Sequence, residues 1–426
     1  MFQTMKQLFA PTNKDLRKRI LFTLGALMIF VIGTDIRVPG TSEITNNLGF
    51  LELMNAMGGG GLKNFSIFAL GVMPYITASI IMQLLQLDIV PYFSELNKEG
   101  PVGRQKINQI TRYMGIIFAF IEGFAFSFVF FGATSALEHI YIATILTAGT
   151  AFTLWLGDQI TKKGIGNGMS LIIMAGILKE LPTMFVLAFQ GLVLNSSIDS
   201  WLGILLFVAF VIVYFLIIIG VIWVQEADRK IPIQYANKST SAYGKEQSYM
   251  PIKINSAGVV PVIFASSLLM IPSTIAQFSG KEGFINFCNQ YLSYTTPIGF
   301  LIYIVLIFFF GYFYTFIQIK PEELAKNLQQ NGGFIPGVRP GKETETYVSK
   351  ILSRLTIVGS IFLIIIAGLP IIFTALINLF DKVNLASQVT IGGTGLLIVV
   401  GVALETYKQL EGSLVTRSYK KSYRRR

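Results

Sequence analysis

The chain has 426 residues, 53% of them hydrophobic and 13% charged, with a formal net charge of +11 and a mean hydropathy of +0.61. Soluble domains carry about one quarter charged residues, so this composition excludes an ordinary water-soluble fold, and the apolar residues come in runs of roughly 17 to 23, the length that crosses a hydrocarbon core as a helix. One cysteine (Cys288) and one histidine (His139) exclude an intramolecular disulfide, a Cys/His metal array and His-paired nucleophilic catalysis.

In chain order, a basic stretch (Lys14, Arg17, Lys18, Arg19) precedes a first apolar run at 20–38. That run lacks a small-residue cleavage site and is longer than a signal-peptide core, so it reads as a retained span. Nine more runs follow, at 74–88, 113–132, 140–157, 169–188, 201–223, 257–276, 298–318, 356–378 and 391–407. With the N-terminus inside, only Arg37, Lys63, Lys179, Lys281 and Lys382 of the 34 Lys and Arg fall outside. This bias places both termini in the cytoplasm and makes the positive charge mainly a topology signal, while leaving a basic inner face on which an RNA-rich or acidic partner could dock.

Ten spans divide into five and five, and an odd number per half turns the halves opposite ways, the arrangement of an inverted repeat. The expected units are an N-terminal half at 1–188, an external hinge at 189–200, a C-terminal half at 201–407 and a basic cytoplasmic tail at 408–426. The second span of each half opens on a break, Gly71-Val72-Met73-Pro74 and Gly258-Val259-Val260-Pro261. Proline removes a backbone donor, and freed polar groups are tolerated at membrane depth only against protein or a water-filled cavity. Gly71, Pro74, Gly258 and Pro261 therefore read as hinges of helices lining a central path, or as two ordinary kinks. Ahead of Pro74, the run Gly58 to Gly61 and the apolar stretch 62–71, too short to cross, read either as a re-entrant segment on a flexible tether or as a surface linker before a buried helix.

Two inside loops are long, about 224–256 and 319–355. The second carries Gly332-Gly333-Phe334-Ile335-Pro336-Gly337-Val338-Arg339-Pro340-Gly341, whose Gly/Pro frame reads as a rigid tip offering Arg339 to a carboxylate or phosphate, or as a plain solvated loop. Phosphate-loop, zinc-protease and serine-hydrolase motifs are absent from the sequence. Within the spans the one well-buried ionisable residue expected is Glu122, open to two readings, an interhelical hydrogen bond or proton coupling.

Ser66-Ile67-Phe68-Ala69-Leu70-Gly71-Val72-Met73-Pro74-Tyr75-Ile76-Thr77-Ala78-Ser79-Ile80-Ile81 resembles the SecY family of protein-conducting channels. Four further stretches share the resemblance, in order along nearly the whole chain: Lys98-Glu99-Gly100 with Gly103-Arg104; Gly164 to Gly168; Ala257 to Pro261 with Ile263 to Ser267; and Phe334 to Gly341. The resemblance implies an all-α multi-pass protein of a bacterial plasma membrane, ten transmembrane helices in two inverted five-helix halves forming a clamshell, with a re-entrant plug. It implies a pore ring at Val72, Ile76, Ile173, Ile263 and Ile398, and a plug at Leu62, Lys63, Asn64, Phe65, Ser66, Ile67 and Phe68 within the 62–71 segment. A lateral gate would carry the polar cluster Thr77, Glu122 and Ser267, and Arg229, Lys230, Arg339 and Lys342 would belong to the docking surface for the motor ATPase SecA and the ribosome. The implied partners are the SecE and SecG subunits, SecA, the ribosome, signal peptides, nascent chains and membrane lipids, with no cofactor and no enzymatic activity. The competing reading is a secondary transporter for a small solute, which predicts a polar site at the midplane instead of aliphatic residues.

Overall fold

The computed structural model describes residues 14–44, 52–86, 90–132, 135–194, 200–235, 248–279, 281–293, 296–378 and 387–423. The centre of the expected external hinge (195–199), the middle of the first long inside loop (236–247), Lys382 and the end of the tail (424–426) lie outside the described residues.

The helices are α1 Lys14–Gly33, α2 Glu52–Met57, α3 Met73–Leu85, α4 Pro91–Lys98, α5 Pro101–Phe131, α6 Ala136–Lys163, α7 Gly168–Leu192 and α8 Ser200–Glu226. After strands β1 Asp228–Tyr235 and β2 Ser248–Lys253 come α9 Val260–Ser279, α10 Glu282–Phe287, α11 Pro297–Gln318, α12 Pro321–Gln330, strand β3 Gly333–Phe334, α13 Lys342–Asn378 and α14 Ser387–Tyr423. Among the described residues, six stretches are helical, long and apolar enough to cross a membrane, and α3 and the first part of α9 are shorter apolar helices. At 1.5 Å per residue the 31 residues of α5 extend about 46 Å, well past a hydrocarbon core of about 30 Å. Its first turns, with Arg104, Lys106 and Arg112, therefore stand clear of the lipid.

The first span is shorter than expected: α1 ends at Gly33 instead of running to Val38. The chain turns there because Val38 N–H donates to the Phe65 carbonyl (3.0 Å) and Ile67 N–H to the Ile36 carbonyl (2.9 Å), which pulls residues 36–38 away from the helix axis. The two broken helices begin at the break. Gly71 (φ +53°) and Gly258 (φ +63°) hold left-handed backbone just before α3 and α9 start, a conformation glycine adopts without a Cβ penalty. Pro74 and Pro261 then fall at the second residue of their helices, where the missing N–H has no intrahelical partner to lose.

Outside the helical layer the two long loops share a three-stranded sheet in the order β2-β1-β3, an addition to the all-helical expectation. Ile231 and Ile252 from the hairpin meet Ile335, Val348 and Leu352 in a small apolar core, so the sheet rides on the base of α13 as one platform. Within the membrane layer, α5 packs on α3 and α6, α11 on α9 and α13, and α14 on α7, α8 and α13. Close seams depend on glycine: a Cβ at Gly149 of α6 would overlap the Ile67 carbonyl, whereas Gly25 of α1 has nothing within 4 Å. Gly149→Val should lower stability in detergent by about 1 to 3 kcal/mol through overpacking, and Gly25→Ala should not. Thermal unfolding midpoints of the two purified variants check this.

Candidate functional site

On the side of the membrane layer that bears the sheet, three cavities of about 580, 510 and 260 Å³ adjoin one another. Tyr75 and Asn108 are shared by the first two, Tyr314 and Gln318 by the second and third, and Asn167 and Glu405 by the first and third. The result is one funnel entered between the ends of α1, α5, α6, α11 and α14. Its wall is polar. Arg112 makes a two-pronged ion pair with Asp158, Nη1 to Oδ2 at 2.6 Å and Nη2 to Oδ1 at 2.7 Å, clamping α5 to α6. On the opposite wall, Asn255 donates to the Gly258 carbonyl at 3.0 Å and fixes the turn into α9.

At the floor, the innermost cavity is lined by aliphatic side chains together with polar ones such as Ser170, Gln225, Gln318 and Glu405. Ile173, Ile263 and Ile398 line the innermost cavity, and with Val72 they are 2 to 9% exposed. Ile76 packs on the same cluster. Of the five residues expected at the ring, Ile173 of α7, Ile263 of α9 and Ile398 of α14 line one cavity, while Val72, in the turn before α3, and Ile76 of α3 belong with them to the large apolar core of the membrane layer. No polar side chain lies among the five.

Beyond the floor lies the segment 52–72. Leu62, Phe65 and Phe68 are buried, but against one wall: Phe65 meets Phe130 and Phe131 edge-on, and Phe68 stacks on Phe30 and Phe152. The piece that reaches between α7 and α14 is α2, with Met54, Asn55 and Met57 buried and the Asn55 side chain accepting from Lys63 N–H at 2.8 Å. Sequence reasoning placed the plug at 62–68 and missed α2; its signal was the short apolar turn with Met54 and Met57 three residues apart, just ahead of the glycines. Those glycines are not slack either. Gly58 to Gly61 are buried, an added Cβ at Gly59 would sit 3.1 Å from Gly176 Cα, and Gly60 lies against the Glu180 carboxylate.

The three residues expected at the gate make no hydrogen bonds to one another among the described residues. The Thr77 hydroxyl donates to the Met73 carbonyl at 3.3 Å on its own helix, Ser267 Oγ is buried without a partner, and no hydrogen bond joins Glu122 to either among the described residues. The helices concerned do meet, through α5 and α9. His139, near the start of α6, is buried with Nδ1 2.8 Å from Ser127 Oγ. Glu122 is not the lone charge in a span, since Lys179 and Glu180 sit midway along α7. Arg229 and Lys230 on β1 and Lys342 at the start of α13 are exposed, and Arg339 is 88% exposed at the loop tip, its carbonyl accepting from the Thr344 hydroxyl at 2.8 Å. Pairing of β1 with β3 gathers these four cations on one platform. Among the described residues no three His, Cys, Asp or Glu side chains converge as metal ligands.

A family model, SecY, matches residues 66–407. The chain is similar to the protein translocase subunit SecY of Staphylococcus epidermidis, 48% identical over 436 residues and 99% of both chains. Among solved structures it resembles a protein-conducting channel (TM-score 0.67, 22% identity, 94% of this chain and 93% of that one). It also resembles canine Sec61 in the ribosome–channel complex of the endoplasmic reticulum (TM-score 0.66, 22% identity, 94% and 93%).

Removing one partner of the Arg112–Asp158 pair leaves a partly buried charge uncompensated, which costs more than removing both. Arg112→Met should therefore lower the thermal midpoint further than Arg112→Met combined with Asp158→Leu, a double-mutant cycle read by unfolding of the purified protein.

Proposed function

The chain belongs to the SecY family, and from that premise we propose that its two halves, 1–188 and 201–407 about the external segment 189–200, open as a clamshell around a passive path for unfolded polypeptide. It is the channel subunit of the translocon and not an enzyme. The observation that carries the reading of the path is the meeting of three buried isoleucines from three helices, Ile173, Ile263 and Ile398, at the inner end of a polar funnel. Apolar side chains at a constriction exclude water and ions when nothing passes, and they offer no polar group that would hold a particular side chain of a moving polypeptide. A small-solute transporter needs the opposite, polar groups converging at the midplane.

Val72, Ile76, Ile173, Ile263 and Ile398 form the pore ring in this reading, and the segment 52–68, with α2 as its wedge, is the plug. Secreted chains pass through the ring. Transmembrane segments leave sideways between α3 and α9, flanked by α5 and α11. The basic platform, Arg229, Lys230, Arg339 and Lys342, lies on the cytoplasmic side with both termini and receives SecA or the ribosome, a role supported by the likeness to ribosome-bound Sec61. SecE and SecG complete the complex in the plasma membrane, and the free energy comes from SecA's ATP hydrolysis, from synthesis at the ribosome or from the proton-motive force.

Sealed liposomes holding this chain with a SecE partner, given SecA, ATP and an unfolded secretory precursor, should yield protease-protected precursor. Protection should require ATP and fall sharply with Arg339→Glu; its absence despite confirmed insertion and SecE binding would overturn the SecA-driven reading. In the same liposomes without SecA, Ile173→Ser with Ile398→Ser should raise resting chloride efflux, because hydroxyls in the ring let water persist there.

A further inference from the structure

Charged side chains inside a span are costly and mark function together with their partners. Lys179 and Glu180 lie six and seven residues past Ile173 on α7, about 9 to 10 Å along the helix and on the side of the ring away from the funnel. The Lys179 ammonium donates to Asp35 Oδ1 at 2.5 Å and to the Thr34 hydroxyl at 2.8 Å, tying α7 to the turn that ends α1. Directly over this tie run the glycines of the plug: a Cβ at Gly59 would lie 3.6 Å from Lys179 Cδ, and one at Gly60 would strike Glu180. Asn64 Nδ2 also reaches Asp35 Oδ1, at 3.4 Å. The turn after α1, the middle of α7 and the glycines of the plug thus meet at one place.

We infer that Lys179 is a positioning residue of the plug, and that the Lys179–Asp35–Thr34 tie, laid under the glycine turn, is an electrostatic latch holding the plug seated on the outer side of the ring. An exposed ion pair would contribute little. This one differs in that the lysine side chain is 22% exposed and its second acceptor, Thr34, is fully buried. Once Asp35 is gone, the ammonium is left with a neutral acceptor in a poorly hydrated place. The tie fixes α7 against the turn after α1, the seat on which Gly59, Gly60 and Asn64 rest, so the latch preserves that seat and biases the closed state. The inference rests on the channel reading proposed above.

The test is chloride efflux from sealed liposomes holding this chain with a SecE partner and no SecA, for the parent, Lys179→Met, Asp35→Asn and the exchange Asp35→Lys with Lys179→Asp. Losing a charged hydrogen bond should shift the seated-to-unseated balance and raise resting efflux roughly 3- to 10-fold in each single variant. The exchange pair should return it close to the parent's, which a merely structural role for lysine would not do. Asp35 is 58% exposed on its side chain, so Asp35→Asn tests the latch even where Lys179→Met fails to assemble with SecE. Unchanged efflux in the single variants, or an exchange pair that leaks like them, overturns the latch. Failure of the parent itself to protect precursor with SecA and ATP would instead strike the channel reading.

Discussion

A stretch of non-helical backbone, Gly58 to Val72, lies at membrane depth, and the rest of the structure is arranged so that it can. Lipid offers no hydrogen bonds, so such a segment survives only enclosed in protein with its polar groups satisfied internally. Here the Val38, Ile44 and Ser66 amides donate to the Phe65, Lys63 and Gly61 carbonyls, at 3.0, 3.0 and 2.8 Å. The enclosing walls must come close, which is why Gly33, Gly149 and Gly176 face the segment where any Cβ would collide with it. Membrane helices gain little hydrophobic drive from meeting one another, and small residues that let backbones approach supply packing instead.

The same constraint separates the two sides of the ring. On the platform side the polar wall is open, and water reaches Arg112, Asp158 and Glu405 through cavities of several hundred Å³. On the other side the space is filled by the turn itself, so charge there is paired at short range, as at Lys179 and Asp35. Between the two, Ile173, Ile263 and Ile398 come from three different helices, and none of these helices runs unbroken through both halves of the chain. In the proposed channel, a constriction assembled this way would widen by small shifts of its helices, without any one helix unfolding.

How much of this was legible in the sequence follows from how local each signal is. The spans were, because hydropathy acts residue by residue over a window as long as the membrane is thick. The breaks at Gly71-Val72-Met73-Pro74 and Gly258-Val259-Val260-Pro261 were, because glycine and proline act on their own backbone. The sheet was not: β1 reads Asp-Arg-Lys-Ile-Pro-Ile-Gln-Tyr, charged at one end and broken by Pro232, and its third strand is two residues long and joins from a loop about 100 residues away. The packed state of Gly58 to Gly61 was hidden for the same reason. Four glycines look slack until Gly176 and Glu180 are set against them. Lys179 was counted as an outside cation because its sign fitted the topology, although its number already placed it within the fifth span.

The seam between α5 and α9 has a different balance from the plug's enclosure. Ser267 and Ser273 on α9 are both buried with hydroxyls that make no hydrogen bond, as is Ser66 within the plug segment, and Thr77 on the neighbouring α3 turns back to its own helix. A buried hydroxyl without a partner costs about 1 to 3 kcal/mol relative to one that is satisfied. The cost applies only while the seam is dry. Parting the helices to admit water or a polar backbone relieves it, and this offsets part of the apolar contact that separation loses. The segment 58–72 carries one such hydroxyl too, at Ser66, but it is held besides by the backbone bonds of Val38, Ile44 and Ser66, which are lost when it opens. In the proposed channel, a side seam held by few polar bonds beside a plug held by several lets the seam part while the plug stays seated.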